Sequence, residues 1–279
     1  MEYLCTEQIF LYQENELKFT VMKQPKSGIF SNTSPFLRLL FAILIIIGSF
    51  LIVYLIGLLV ALVVFNISMS DIADILSARD QQSLQLLKYF QLILSIGLFL
   101  VPPLIFHYLF RTESRNYLKT NIVPSGLSFL IAVFAMLVAV PMINLLAELN
   151  SYLDLPQSFE AIETWMKERE TEAGDLTQRF LKVNTFSGFL FNLLLIAIIP
   201  AIGEELLFRG GIQQIFTEWT KNAHIGVILA AVLFSAFHFQ FYGFLPRMLM
   251  GIYFGYLVLW SGSIWLAVAA HFINNASAV

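Results

Sequence analysis

Six positions in the last third of the sequence have the residue types and the spacing for hydrolytic chemistry. They are Glu204, Glu205, Phe234, His238, His271 and Asn275. The two glutamates follow directly on the apolar run 186–202, and each later pair is separated by four residues within another apolar run. Ionised groups inside a membrane are costly unless they are paired or hydrated, so such a cluster indicates a functional site. Carboxylate, imidazole and amide groups together are typical of a centre that activates water.

The adjacent glutamates are expected to have different tasks. In a helix, Glu205 and Arg209 are i,i+4 neighbours and can form an ion pair. Glu204 points about 100° away from Glu205 and is free to face another helix. Neighbouring carboxylates in apolar surroundings differ in proton affinity, which suits one as a structural ion and the other as a base. We therefore predict that Glu204 is the base and Glu205 the partner of Arg209. The alternative is a helix that leaves the membrane with a charged end.

The histidines and the asparagine can complete a hydrolytic site. We expect Glu204 to take a proton from a water that His238 orients. His271 and Asn275 would then donate hydrogen bonds to the oxyanion that forms at a peptide carbonyl. Each histidine alone could be a hydrogen-bonded core residue, and asparagine with histidine could simply join two membrane helices. The joint occurrence of the three pairs favours a common site.

A metal-dependent version of the same site is also compatible with the sequence. Glu204, His238 and His271 could bind one divalent metal ion such as zinc, with water as the fourth ligand. The chain lacks the zinc motif of two histidines at i,i+4 on one helix, and its single cysteine, Cys5, excludes a cysteine-rich metal site. The sequence leaves the metal-free and the metal-dependent mechanisms equally open.

The elements that must position these residues are predicted to be membrane-spanning helices. The chain has 279 residues, of which 58% are hydrophobic and only 13% are charged, whereas soluble proteins carry about 25% charged residues. Apolar runs that approach the ~20 residues needed to cross a bilayer predict an all-α, polytopic transmembrane bundle of about seven spans. The predicted spans are 36–65, 86–110, 125–149, 186–208, 225–241, 244–260 and a last one from residue 263 onward. The net charge of −3 gives no indication of a nucleic-acid partner.

Four segments follow from this pattern. They are a polar N-terminal tail (1–35), three spans (36–149), an extramembrane linker (150–185) and a catalytic core (186–279). In the linker, apolar side chains at helical spacing predict an amphipathic helix on the outer membrane surface, which is either a plain connection or a lid over the substrate. These side chains are Phe159, Ile162, Trp165 and Met166. Met22 could be the true start, and the apolar end at Val279 suggests truncation.

The charge of the loops predicts the orientation of the bundle. Lysine and arginine precede the first span and lie between the second and the third, whereas the loop after the first span is rich in aspartate. Because basic loops stay in the cytoplasm, we predict a cytoplasmic N-terminus. The acidic pair would then lie toward the cytoplasmic leaflet.

The three motifs resemble the signature of the CPBP family, which includes the CAAX prenyl endopeptidases and bacteriocin-processing or abortive-infection proteins. The motifs read Glu204-Glu205-x-x-x-Arg209, Phe234-x-x-x-His238 and His271-x-x-x-Asn275. The resemblance covers residues 186–279 and implies an intramembrane endopeptidase with a multi-helix core. It also implies catalytic roles for both histidines, Glu204 and Asn275, supported by Glu205 and Arg209. Tyr242 stands where the eukaryotic members carry an asparagine, so a prokaryotic member is expected and a prenylated substrate is not implied.

The predicted function is that of an endopeptidase in a prokaryotic cytoplasmic membrane, where it would cleave a membrane-associated protein or peptide among the lipids. One alternative is a non-catalytic immunity or scaffold protein of the same fold, which would tolerate Glu204→Gln. Another is a proton-coupled carrier. A carrier would be expected to show discontinuous helices in matched halves, and the sequence has no evident repeat.

Overall fold

The computed structural model describes residues 27–70, 72, 75, 80–112, 117–152 and 155–279, and eight long helices lie within these ranges. The helices are α1 (Pro35–Val64), α2 (Gln81–Phe110), α3 (Gly126–Ser151), α4 (Glu160–Leu181), α5 (Phe186–Thr220), α6 (Ala223–Ala236), α7 (Phe244–Ser261) and α8 (Trp265–Ala276). Cys5 and Met22 lie outside the described residues. The predicted all-α architecture is confirmed.

Within the described part of the chain, five helices are long and apolar enough to cross a membrane, namely α1, α2, α3, α5 and α7. The chain is therefore an integral membrane protein. The other two predicted spans, 225–241 and the one from residue 263, form the shorter helices α6 and α8. At 14 residues, α6 is about 21 Å long, which is less than the ~30 Å of a bilayer core.

Helix α5 differs from its predicted span, because it continues past the predicted end at residue 208 to Thr220. The charged cluster therefore lies in the middle of the helix and does not mark its end. Polar side chains beyond the predicted end find partners on α7. Arg209 donates to the Gly251 carbonyl at 2.9 Å, and Gln213 donates to the Gly255 carbonyl at 3.2 Å.

Two stretches of α5 are wound as π-helix, residues 193–198 and 206–212. The first contains the Ile196 carbonyl and ends just before Pro200, which has no N–H to donate to the helix. The Asn275 side chain of α8 donates to that carbonyl at 3.2 Å. Single π-helical turns are common at functional sites, and these two flank the acidic pair.

Helices α6 and α7 pack closely through small residues. A Cβ atom on Gly251 would lie 3.0 Å from the Ala231 side chain, and one on Gly255 would lie 2.8 Å from Val227. Glycine at this spacing lets two membrane helices approach through their backbones. The close approach fixes the loop between α6 and α7, which carries His238.

The predicted helix of the linker is present as α4, and its end is held by two buried side chains. Lys88 of α2 donates to the Phe180 carbonyl at 3.0 Å and to the Asn192 side chain at 2.7 Å. Asn192 itself donates to the same carbonyl at 2.6 Å. The C-terminal turn of α4 is thereby joined to α2 and α5, although most of its remaining surface is exposed.

Candidate active site

Glu205 is the centre of a buried polar network. Its Oε1 atom lies 2.8 Å from Arg209 Nη1 and 2.8 Å from His271 Nδ1, and all three side chains are buried. The Arg209 guanidinium also lies over the Phe234 ring, with its carbon 4.5 Å from the ring centroid. The pair of Glu205 with Arg209 that the helical spacing predicts is therefore present, deep in the bundle. One carboxylate oxygen joins α5 to α8.

The network determines which ring nitrogen of His271 is available for chemistry. A carboxylate that is paired with arginine accepts hydrogen bonds, so His271 Nδ1 donates to Glu205. In the neutral ring, Nε2 then carries a lone pair. His238 is arranged in the same way, because its Nδ1 lies 2.9 Å from the Phe234 carbonyl, which can only accept. In the neutral form, each imidazole therefore directs an Nε2 lone pair into the site.

Glu204 is the group on which these two atoms converge. Its Oε2 atom lies 3.8 Å from His271 Nε2 and 4.0 Å from His238 Nε2. Both separations are longer than a direct hydrogen bond and short enough to be bridged by one water. Oε2 is buried and has no hydrogen-bond partner among the described residues. The arrangement can hold a water molecule that donates to the carboxylate and to an imidazole.

Asn275 lies at the same site, but part of its amide has a structural task. One of its two amide hydrogens is donated to the Ile196 carbonyl of α5. Its side-chain oxygen accepts from Asn274 at 3.1 Å. A second amide hydrogen is left for a substrate. The predicted donation of Asn275 to an oxyanion can therefore use only one hydrogen.

These groups open into one cavity of about 410 Å³, a volume typical of small-ligand and peptide sites. Its polar lining includes Glu204, His238, Gln240, Arg247, His271 and Asn275. Helix α4 contributes Leu176, Thr177 and Phe180 to the wall. The structure thus brings all of the predicted catalytic side chains together, and it places one end of the predicted linker helix beside them.

Arg247 and Gln240 are polar residues of this cavity that the motifs do not include. Arg247 is the only charged residue in the apolar run of α7, and a lone charge in such a run is itself a signal of function. Phe254 of α7 was also missed. Its ring stacks on His271 with the centroids 5.0 Å apart and holds the imidazole plane.

The donor atoms do not have the spacing of a metal site. Ligands at ~2.0–2.1 Å from a tetrahedral zinc ion lie about 3.3 Å apart, whereas Glu204 Oε2 is further than this from both histidine nitrogens. Among the residues that the structure describes, no group of three or more histidine, cysteine or acidic side chains could hold a metal ion. In the arrangement observed, the carboxylate and the imidazoles can act on a water molecule directly.

Comparison with known proteins agrees with the three-motif resemblance. Residues 186–277 match the family model described as type II CAAX prenyl endopeptidase Rce1-like. The chain is also 27% identical over 120 residues to the uncharacterised protein YpbD of Bacillus subtilis (strain 168), an alignment that covers 42% of this chain and 57% of that protein. No solved structure matches the chain significantly. The predicted family resemblance is confirmed for the segment that carries the motifs.

Proposed function

We propose that this chain, whose residues 186–277 match the family model of the Rce1-like type II CAAX prenyl endopeptidases, is an intramembrane endopeptidase with Glu204 as its general base. The observation that carries the proposal is the convergence of two imidazole Nε2 atoms on the Glu204 carboxylate inside one cavity. The substrate would be a protein or peptide associated with the membrane, because the cavity is enclosed by helices of a membrane bundle.

In the first step, one water lies between Glu204 and His238. It donates one hydrogen to Glu204 Oε2 and the other to His238 Nε2, so that an oxygen lone pair faces the peptide carbonyl. Glu204 takes the first proton as the water oxygen forms a bond to the carbonyl carbon. The carbonyl oxygen becomes the oxyanion of a tetrahedral intermediate, and the free amide hydrogen of Asn275 can stabilise it.

In the second step, the proton must reach the leaving amine. Glu204 lies 3.8 Å from His271 Nε2, which can take the proton as an imidazolium that Glu205 stabilises. His271 can donate to the oxyanion only in this protonated form. The spacing of the motifs does not reveal this requirement. When the carbon–nitrogen bond breaks, the proton passes to the amine, and the site returns to its starting state.

The proposal is tested by comparing chain termini in membranes of cells that produce the wild-type protein or Glu204→Gln. Mass spectrometry should find new termini in membrane proteins of the wild-type cells that are absent from the Glu204→Gln cells. Glu172→Gln on the exposed surface of α4 is the matched control and should give the wild-type termini. Identical termini in the wild-type and the Glu204→Gln cells would contradict the proposal and favour a scaffold protein.

A chelation experiment separates the metal-free mechanism from the metal-dependent one. Purified protein is treated exhaustively with a chelator, and its metal content is measured by elemental analysis together with the cleavage rate of a substrate found above. Retention of the rate in metal-free protein supports the carboxylate–imidazole mechanism. Loss of the rate and its recovery on addition of zinc would replace it with metal-assisted hydrolysis.

A further inference from the structure

Arg247 is a charged residue of the cavity that the proposed hydrolysis does not use. It lies in the first turn of α7, lines the cavity together with Glu204 and His238, and is half-buried. Among the described residues, no carboxylate forms an ion pair with its guanidinium, although Glu170 and Glu204 interact with it electrostatically at longer range. Removing an arginine partly from water without a direct ion-pair partner is costly, and an anion that binds the guanidinium recovers part of that cost.

The guanidinium is held by the loop between α6 and α7. Its Nη2 donates to the Gln240 side-chain oxygen at 2.7 Å, and its Nη1 donates to the Gln240 carbonyl at 3.3 Å. The guanidinium also lies directly over Gly243, where a Cβ atom would be only 2.6 Å from Nη2. Glycine is therefore needed at residue 243 for the guanidinium to occupy this place. Both acceptors are neutral, so the guanidinium has no directly bonded anion, and its only compensating charges are the more distant carboxylates of Glu170 and Glu204.

The loop that holds the guanidinium is itself fixed. Asn150 of α3 donates to the carbonyl groups of Phe241 and Tyr242, and Ser235 donates to the Phe244 carbonyl. Phe239 has a φ of 51°, a left-handed conformation that is costly for an aromatic residue and persists only where the surroundings impose it. The guanidinium is thus prearranged, which reduces the entropy lost when a ligand binds.

The free donors match a carboxylate. Arginine has five N–H donors in a planar fork, and Gln240 accepts two of them. The remaining three can bind the two oxygens of a carboxylate side by side. Glu204 lines the same cavity as Arg247. A short peptide could therefore place a carboxylate on Arg247 and a peptide bond beside the activated water.

We propose that Arg247, held by Gln240 over Gly243, binds a carboxylate of the substrate and so selects which peptide bond reaches Glu204. The carboxylate can come from a free chain terminus or from an acidic side chain close to the cleaved bond. The proposal rests on the proposed endopeptidase function, and it adds a specificity-determining residue outside the three motifs.

The test measures binding, so that it does not depend on turnover. The full chain carrying Glu204→Gln is placed in nanodiscs of zwitterionic lipid and titrated with short dansyl-labelled leucine–alanine peptides, which are followed by fluorescence anisotropy. The peptides form matched pairs, one pair with a carboxylate or an amide at the C-terminus and one with an internal glutamate or glutamine. At least one carboxylate peptide should bind ~10-fold or more tightly than its neutral partner, a ratio typical of a hydrogen bond between charged groups. The pair that shows the preference identifies the source of the carboxylate.

Substitutions at Arg247 then test the residue. Arg247→Gln should remove the preference by lowering the affinity of the carboxylate peptide to that of its neutral partner. Arg247→Lys keeps the charge without the planar fork and should keep part of the preference. It also provides the test if Arg247→Gln does not fold. Arg169→Gln on the exposed surface of α4 is the matched control and should keep the full preference. The absence of any preference in the parent protein, or its persistence in Arg247→Gln, would overturn the proposal.

An added anionic lipid distinguishes a peptide carboxylate from a lipid phosphate. If phosphatidylglycerol in the nanodisc abolishes the preference by competition, the ligand of Arg247 is a lipid headgroup and the proposal is overturned. The result of the peptide-binding test can also be distinguished from the result of the cleavage test in cells. A protein that prefers carboxylate peptides but creates no new termini in cells would contradict only the endopeptidase function. Cleavage in cells without a carboxylate preference would contradict only the role of Arg247.

Discussion

Substitutions of single residues in this site should differ in whether they lower the stability of the protein or the rate of the reaction. Glu205 and Arg209 form a fully buried ion pair, and each is also bound to another helix, through His271 and the Gly251 carbonyl. Removing one partner of such a pair leaves an uncompensated charge in a medium where water cannot replace it. Glu204 and His238, by contrast, face the cavity, so their replacement should change the chemistry more than the stability.

Arg209→Ala should destabilise the protein. The expected loss of unfolding free energy is ~3–5 kcal/mol, because Glu205 stays buried without its cation. Arg209→Lys should lose less and keep partial activity, since a single charge survives while the hydrogen bond to α7 is weakened. Titration with SDS in mixed micelles measures both variants. Arg169→Ala removes an exposed pair with Glu172 and should be close to wild type. Wild-type stability of Arg209→Ala with a selectively raised KM would instead point to substrate binding.

The tautomers of the histidines can be observed directly. The chain has 4 histidines, so selective ¹⁵N-histidine labelling gives a small set of NMR signals, which His238→Gln and His271→Gln assign. In the neutral form of each ring the proton should be on Nδ1 and the lone pair on Nε2, because Nδ1 donates to Glu205 in one case and to the Phe234 carbonyl in the other. A proton on Nε2 of His238 would contradict its proposed role as an acceptor from water.

Many of the residue contacts in the site could be predicted from the sequence, because charged and polar side chains inside apolar helices must pair with one another to avoid a large desolvation cost. The pairing of Glu205 with Arg209 depends only on helical spacing, and it was predictable. The bond from His271 to Glu205 was not, because it depends on how α8 packs against α5. Arg247 was overlooked because a lone arginine near the start of a span can also belong to the membrane surface.

At the scale of elements, the position of the site depends on close contacts of α7 with its neighbours. The Gly251 carbonyl accepts from Arg209, and the same glycine leaves room for Ala231 of α6. The contact therefore places α5, α6 and α7 relative to one another. Helix packing in membranes relies on such small residues, because apolar side chains gain little from leaving the lipid.

Gly251→Ala should separate α6 from α7. The added methyl group would lie 3.0 Å from the Ala231 side chain and 3.1 Å from its Cα, so the backbone must shift. We expect a loss of ~1–3 kcal/mol in the SDS titration and a lower cleavage rate, because the acceptor of Arg209 moves. Gly48→Ala in α1 is the matched control, since no atom lies within 4 Å of the added methyl group. It should be neutral or slightly stabilising. Equal behaviour of the two variants would show that the α6–α7 contact tolerates expansion.

The existence of the helices was predictable from apolar periodicity and length, and several bounds agree within a few residues. The end of α5 was not predictable from the sequence. A charged residue followed by two adjacent glycines, as found after Glu205, is typical of the end of a membrane span. In the structure those polar groups are satisfied by α7, which removes the reason for the helix to stop. Pro200 removes one backbone donor from α5, and the Asn275 side chain of α8 donates to the nearby Ile196 carbonyl.

At the scale of the whole molecule, the loop charges predict that the segment after α1 lies outside the cell and the segment between α2 and α3 lies inside. Ser68→Cys and Asn121→Cys, each in a Cys5→Ser background, test this orientation. In intact cells a membrane-impermeant maleimide should label Ser68→Cys, whereas Asn121→Cys should react only after lysis. The Cys5→Ser parent is the unlabelled control. Labelling of Asn121→Cys alone in intact cells would invert the bundle and place the acidic pair toward the opposite leaflet.

The central claim is that Glu204 and His238 act on one water. The most direct measurement is the cleavage rate of a substrate identified from the membrane termini, with wild type, Glu204→Gln, His238→Ala and the double variant reconstituted in liposomes. Each single change should slow cleavage by at least ~10²-fold without loss of folding. The double variant should be little slower than either single one, because both changes disable the same step. Wild-type cleavage by Glu204→Gln, or losses that multiply in the double variant, would contradict the claim.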